Sequence, residues 1–372
     1  LNTKEVLATF LAYLFYLTKV YAGKDIEIKI DLEATIRNFS IPVWEDKKYR
    51  EEVKGIMQGA IYCAYCLEKW FKKDLIFGIP IAKLRNAFSR IKDIDFNLNG
   101  LIGTEVTEPV AAGYSRIYEL DVTPGNPTHL FIIDVGAGST DFALLTISRP
   151  INSEEIKIFT SRQGGVGKGV AVWDNALRAI ISNKVKETFG VTEAQPEYQI
   201  LSAKLDAQIR LLKENVMAAT DGYPIDISPV NTTPLTIKRE DVENSIPVKE
   251  AKIAINQGFK QYIDKILNSI NKDKFHPQQT EFLITGGGSF IPSVVDCIRD
   301  CTSRFGPGYE RKVVNNYLPS SYRNIPNFIN LYPMLAVSLG STEGSYPEEK
   351  MMPSITLDPG RHFIGGYYQR GV

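Results

Sequence analysis

Residues 131–145, Phe-Ile-Ile-Asp-Val-Gly-Ala-Gly-Ser-Thr-Asp-Phe-Ala-Leu-Leu, constrain the fold more than any other stretch of the chain. An apolar strand runs into an Asp-x-Gly-x-Gly-[Ser/Thr]-x-Asp turn and leaves as a second apolar strand, the pattern of a phosphate-binding hairpin. Gly136 and Gly138 lack a Cβ, so the backbone around Ala137 can turn tightly and bring its N–H groups against a polyphosphate. The hydroxyls of Ser139 and Thr140 are candidate further donors, and Asp134 and Asp141 stand where a magnesium-bound water shell needs carboxylates. A Gly-rich turn between strands also occurs as a turn alone, so the motif needs support from elsewhere.

That support comes from residues 282–292, Phe-Leu-Ile-Thr-Gly-Gly-Gly-Ser-Phe-Ile-Pro, a short apolar strand running into Gly286, Gly287 and Gly288. Consecutive glycines cost entropy and mark a close approach of backbone to a ligand or to another segment. The separation of the two turns suits two sides of one nucleotide cleft. A third segment, Thr-Glu-Pro-Val-Ala-Ala-Gly-Tyr at residues 107–114, sets Glu108 and Pro109 at the start of an alanine-rich helix.

In this order the segments resemble the actin-like ATPase superfamily and, within it, the heat shock protein 70 family of chaperones. Residues 108–113 resemble that family's first connecting helix, 134–141 its second phosphate loop, 283–292 its adenosine loop, and, more loosely, 334–340 its second connecting helix. Upstream, Phe-Ser-Ile-Pro-Val-Trp at residues 39–44 places Pro42 ahead of Arg50 at the family's spacing. The resemblance makes those two residues the relay between nucleotide state and a partner surface. It covers roughly residues 5–342. It implies an α/β, actin-like (ribonuclease H-like) fold with two lobes around a nucleotide cleft, ATP or ADP with magnesium as cofactors, and a protein client or co-chaperone as partner. By the same resemblance Glu108 helps place the attacking water, and Asp134 holds magnesium-bound water as catalytic and metal-side residue. Gly136 to Thr140, Gly286 to Gly288 and Phe290 contact nucleotide, with Arg210 and Lys213 facing the adenosine.

The departures from the family are specific. No first phosphate loop precedes the helix that begins near Leu1, so the expectation is a first lobe lacking its opening strands. Gly165 aligns where the family has an aspartate, ahead of Trp173-Asp174-Asn175. Phe290 replaces the arginine that lies over the base, and either stacks there or fills a core. Met334 replaces an acidic residue near the ribose. Gly164-Gly165-Val166-Gly167-Lys168-Gly169 looks like a P-loop, but no Ser or Thr follows Gly-Lys, and a turn beside the nucleotide cleft fits better.

The expected organisation is a first lobe over 1–125 with a helical insertion near 67–103, a second lobe over 126–345 with a smaller subdomain near 185–240, and a tail over 346–372. Helices are expected over 3–21, 46–72, 170–181, 203–219, 249–270 and 293–304, and a strand near 156–159. The boundary between lobes is read from the turn cluster at 121–127. The tail is too short for a peptide-clamping domain.

With 43 basic and 43 acidic residues there is no charge excess to recruit nucleic acid. The apolar run at 6–17 is too short to span a bilayer, so no membrane role is expected and a cytoplasmic location is. Cys63 with Cys66 and Cys297 with Cys301 read as reduced, buried thiols. His129, which precedes a strand, reads as solvent-facing. The alternatives left open are a chaperone-type ATPase, a nucleotide-binding regulator that no longer hydrolyses, an actin-like filament protein, and a small-molecule kinase.

Overall fold

A computed structural model describes residues 1–22, 24, 37–41, 43, 47–93, 102–270, 272–315 and 317–341. The chain divides into two compact units, Leu1–Thr107 and Glu108–Val372. Pro42 and the tail lie outside the described residues, as does the side chain of Arg50.

In the smaller unit, α1 (Thr3–Ala22) packs against α2 (Lys47–Phe71), the helix that carries the backbone of Arg50. Small residues make the close approach possible: Ala8 and Ala12 on α1 and Ala60 and Ala64 on α2 are fully buried in one cluster. Lys19 and Glu68 pair across these helices at 2.8 Å. The short helix α3 (Asp74–Phe77) and the helix α4 (Ile81–Ile91) follow, and α4 adds Leu84, Ala87, Phe88 and Ile91 to the cluster. They fall inside the segment expected as a helical insertion. Strand β1 (Arg37–Ile41) pairs in parallel with β2 (Ile102–Thr107).

The larger unit begins with α5 (Glu108–Ile117) and then builds a five-stranded sheet from β3 (Thr128–Val135), β4 (Thr140–Ser148), β5 (Lys157–Val166), β8 (Thr280–Thr285) and β9 (Val313–Val314), in the order β5-β4-β3-β8-β9. The first three strands form an antiparallel meander, while β8 joins β3 in parallel and β9 joins β8 in parallel. Between β5 and β8 come α6 (Ala171–Phe189), α7 (Pro196–Ala218), β6 (Tyr223–Ile225), β7 (Leu235–Ile237), α8 (Arg239–Glu243) and α9 (Ile246–Ser269). After β8 come α10 (Pro292–Thr302) and α11 (Phe328–Gly340). The chain is therefore a mixed α/β protein.

Every residue of β3 is buried, because both faces of the sheet are covered. Phe131, Ile133 and Val135 face the core shared with α6, α9 and α10. There Phe131 stacks on Phe282 at 4.8 Å and meets Phe305 edge-on at 5.2 Å. Leu130, Ile132 and Asp134 alternate onto the opposite face, against which α5 packs. Gly113 permits that contact, since a Cβ there would lie 2.2 Å from Ile132. Gly340 of α11 does the same for α5, where a Cβ would lie 1.7 Å from the carbonyl oxygen of Ala111. This packing is why the division falls after Thr107, earlier than the boundary read from the 121–127 turn: the buried face of α5 belongs to the sheet that follows it.

In the segment 185–240, Leu201, Leu205, Val216, Ile225, Ile237 and Val242 join the sheet's cluster. One further expectation changes. His129 is not solvent-facing but 5% exposed, its ring 4.7 Å from that of Phe275. His129 lies inside β3 rather than ahead of it, and Phe275 and Thr146 cover its ring.

The four cysteines are free thiols on α2 and α10, with Cys66 and Cys301 buried and Cys63 and Cys297 half-buried. No helix among the described residues is long and apolar enough to cross a membrane.

Candidate functional site

The site lies at one end of the sheet in the larger unit, where three loops converge. The first is the hairpin turn Gly136 to Ser139 between β3 and β4. The second is the link Gly167 to Val170 between β5 and α6. The third is the turn Gly286 to Phe290 after β8, whose last four residues form a 3-10 turn. The segment Gly164 to Gly169, expected as one turn, is divided: Gly164, Gly165 and Val166 pair with Phe142, Asp141 and Thr140 as the end of β5, and only the remainder is loop.

Contacts too tight for side chains lock the loops together. Val170 N–H donates to the Gly136 carbonyl and Ala171 N–H to the Ala137 carbonyl, both at 2.9 Å. A Cβ on Gly169 would lie 2.4 Å from the first of those oxygens and 2.5 Å from the second. On the other side, Gly286 takes φ +76°, and a Cβ there would lie 2.4 Å from Asp134 Oδ1 and 2.6 Å from the Val135 carbonyl oxygen. Gly288 is equally closed, 2.2 Å from Val135 Cγ1. Gly286 N–H and the Thr285 hydroxyl both donate to the Pro333 carbonyl, at 3.0 and 3.2 Å, fastening this turn to α11.

Gly136, Gly138 and Gly287 differ from these. None has a positive φ, a Cβ on Gly138 would meet nothing within 4 Å, and those on Gly136 and Gly287 would make only ordinary contacts at 3.5 Å. Their own fold does not call for glycine. Among the described residues, none accepts a hydrogen bond from the amides of Ala137 or Gly138, and both residues are exposed.

A row of residues in register crosses the sheet beneath the loops: Gly165 opposite Asp141, Asp141 opposite Asp134, and Asp134 opposite Thr285. Both carboxylates are buried, at 2% exposure for Asp141 and 4% for Asp134. Burial, then the charges of Asp141 and Glu108, push the Asp134 carboxyl well above its ordinary value. Glu108, half-buried at the start of α5, is raised by burial. A side chain at position 165 would lie 2.6 Å from Asp141 Oδ1. The departure at Gly165 therefore has a physical correlate, since Asp141 already fills the space a carboxylate there would take.

Several residues expected at the site have other occupations. The Thr140 hydroxyl is fully buried and donates to the Lys168 carbonyl at 2.7 Å, so it is no donor for a ligand. The Ser139 hydroxyl donates to Asp141 Oδ2 at 2.8 Å. Lys213, 2% exposed, pairs with Asp174 at 2.9 Å, joining α7 to α6. Arg210 lies on the exposed face of α7 and pairs with Glu214 at 3.5 Å. Helical periodicity placed these cations on α7 and accounts for the i,i+4 pair of Arg210 with Glu214, but the partner of Lys213 lies on α6, which the periodicity of α7 does not orient. Phe290 is half-buried, and no other aromatic ring lies against it among the described residues.

Asp141 was expected as a magnesium-side carboxylate, but its role in filling the Gly165 position needs the β4–β5 register. Lys168 was seen only as part of an imperfect P-loop, although the chain beside it runs along the Gly136–Ser139 hairpin. No protein-family model matches the chain, and no curated protein sequence matches it.

Proposed function

We propose that the chain binds adenine nucleotide with magnesium at this end of the sheet, on an actin-like ATPase fold resembling the nucleotide-binding domain of heat shock protein 70 chaperones. The observation that carries the reading is the pair Gly138 and Gly287. Glycine loses more conformational freedom on folding than any other residue, yet the fold has room for a side chain at both positions. A ligand pressed against the backbone of both loops accounts for that cost.

The residues present fit the group. The unpartnered amides of Ala137 and Gly138 would hold phosphate oxygens, and Phe290 would stack on the base, a use for an aromatic ring that meets no other. Asp134 and Asp141 would face magnesium through its bound water, and the cation would neutralise charge on the phosphates. Glu108 sits within electrostatic reach of Asp134, where it would orient water.

Turnover by this chain is slow. The Ser139 and Thr140 hydroxyls are already engaged within the fold, and Gly165 offers no carboxylate of its own. These occupations favour, as a second reading, a nucleotide-binding regulator that no longer hydrolyses.

Isothermal titration of the chain with magnesium ATP tests the proposal. Binding is expected in the wild type and its loss in Gly287→Val, where a branched side chain enters space open to the ligand. Absence of binding in the wild type, or equal affinity in the variant, would sink the assignment.

A further inference from the structure

We propose that Lys168 is the cationic contact for the phosphate groups of the ligand at this site. The inference rests on the nucleotide reading and adds to it the residue that supplies positive charge.

The three carboxyl groups Glu108, Asp134 and Asp141 make this end of the sheet acidic, which opposes the approach of a polyphosphate. Among the residues placed at the site by sequence, Lys213 is committed to Asp174 of α6 and Arg210 pairs along its own helix with Glu214. Lys168 has no ion pair among the described residues and is exposed. Its backbone is fixed on both sides. The Lys168 carbonyl accepts the Thr140 hydroxyl at 2.7 Å, and the Lys168 amide donates to the Val166 carbonyl at 2.8 Å. The next residue, Gly169, lies so close to the carbonyls of Gly136 and Ala137 that no side chain fits between them. A long flexible ammonium is thus rooted one residue from the contact with the hairpin whose Ala137 and Gly138 amides are unpartnered. Amides alone bind an anion by partial charge; a lysine at their edge supplies a full one and acts as a point charge on phosphate.

The arrangement also accounts for Thr140. In a hairpin that used every hydroxyl for its ligand, this side chain would point to phosphate. Here it holds the lysine loop in place, trading one hydroxyl donor for a placed cation.

Affinities of the full chain for magnesium ATP, adenosine and inorganic tripolyphosphate, measured for wild type, Lys168→Gln and Lys168→Arg, test the proposal. Lys168→Gln is expected to weaken ATP and tripolyphosphate by about 10- to 100-fold, the loss of one charge-assisted hydrogen bond, and to leave adenosine unchanged. Lys168→Arg keeps the charge and is expected to restore most of the affinity. Wild-type ATP binding that Lys168→Gln leaves intact would overturn the role of Lys168 while leaving nucleotide binding standing. A parallel loss of ATP and adenosine would overturn it as well, since it would mean a displaced loop. A wild type that binds none of the three ligands would overturn the nucleotide reading and this inference with it.

Discussion

Gly286 and Gly287 are neighbours in one turn, and the structure gives them opposite tolerances. At Gly286 an alanine must adopt φ +76° with ψ 176°, a backbone region essentially reserved for glycine that costs an L-residue at least about 1–2 kcal/mol. Its Cβ would also sit 2.4 Å from Asp134 Oδ1 and 2.6 Å from the Val135 carbonyl oxygen. Forcing atoms into such a site costs about 1–3 kcal/mol more, because the backbone of β3 cannot retreat from the sheet. Gly286→Ala should therefore lose about 2–5 kcal/mol, a large share of the roughly 5–15 kcal/mol that holds a domain folded. At Gly287 the Cβ meets Val170 Cγ2 at 3.5 Å with ordinary φ, so Gly287→Ala should be neutral or gain up to about 1 kcal/mol through the unfolded chain. Guanidinium denaturation followed by Trp173, fully buried in this unit, would measure both in a Trp44→Phe, Trp70→Phe background. A Gly286→Ala variant as stable as Gly287→Ala would refute the packing of this turn against β3.

Asp134→Asn should stabilise the ligand-free protein while removing magnesium-dependent nucleotide binding. The folded carboxyl is raised above its ordinary 3.8 by burial, Asp141 and Glu108, so the unfolded chain ionises first and wild-type stability falls as pH rises above about 4. Thermal melts should show the variant ahead at pH 8 and the gap closing toward pH 4; a constant gap would contradict this. His129 works in the other direction: burial lowers it to about 4 from 6.5, so the unfolded chain takes up a proton first and stability is lost as pH falls between those values. The loss is on the order of 3 kcal/mol, and His129→Gln should flatten the acid limb of the melting curve, which an unchanged limb would disprove.

The local signals in the sequence were the strong ones. Alternating and continuous apolar runs located β3, β4 and β8, and the punctuation of glycine and proline located the turns after them, because those signals act within a few residues. Helical periodicity found α1, α2, α9 and α10 to within a few residues, whereas α6 continues past the expected end at 181 to Phe189 and α7 starts at Pro196 rather than at 203. Where α7 directs Lys213 was not legible, since the attraction of Asp174 comes from a separate helix. The burial of His129 depends on Phe275 and on Thr146 of β4, both distant in sequence, and the boundary after Thr107 depends on which sheet the apolar face of α5 meets.

The sequence by itself determined that two glycine turns follow apolar strands and that an acidic helix start lies upstream of both. It could not distinguish a glycine required by its neighbours from one that leaves room. Only the tertiary structure decided that Gly169, Gly286 and Gly288 are closed by carbonyls and side chains of β3, the hairpin and Val170, whereas Gly138 and Gly287 stand open. It also decided that Asp141 occupies the space beside Gly165, because that adjacency is fixed by pairing between β4 and β5. Steric exclusion and charge proximity act across space, between segments that the chain keeps far apart, and are therefore set by the packing of the sheet rather than by any one stretch of residues.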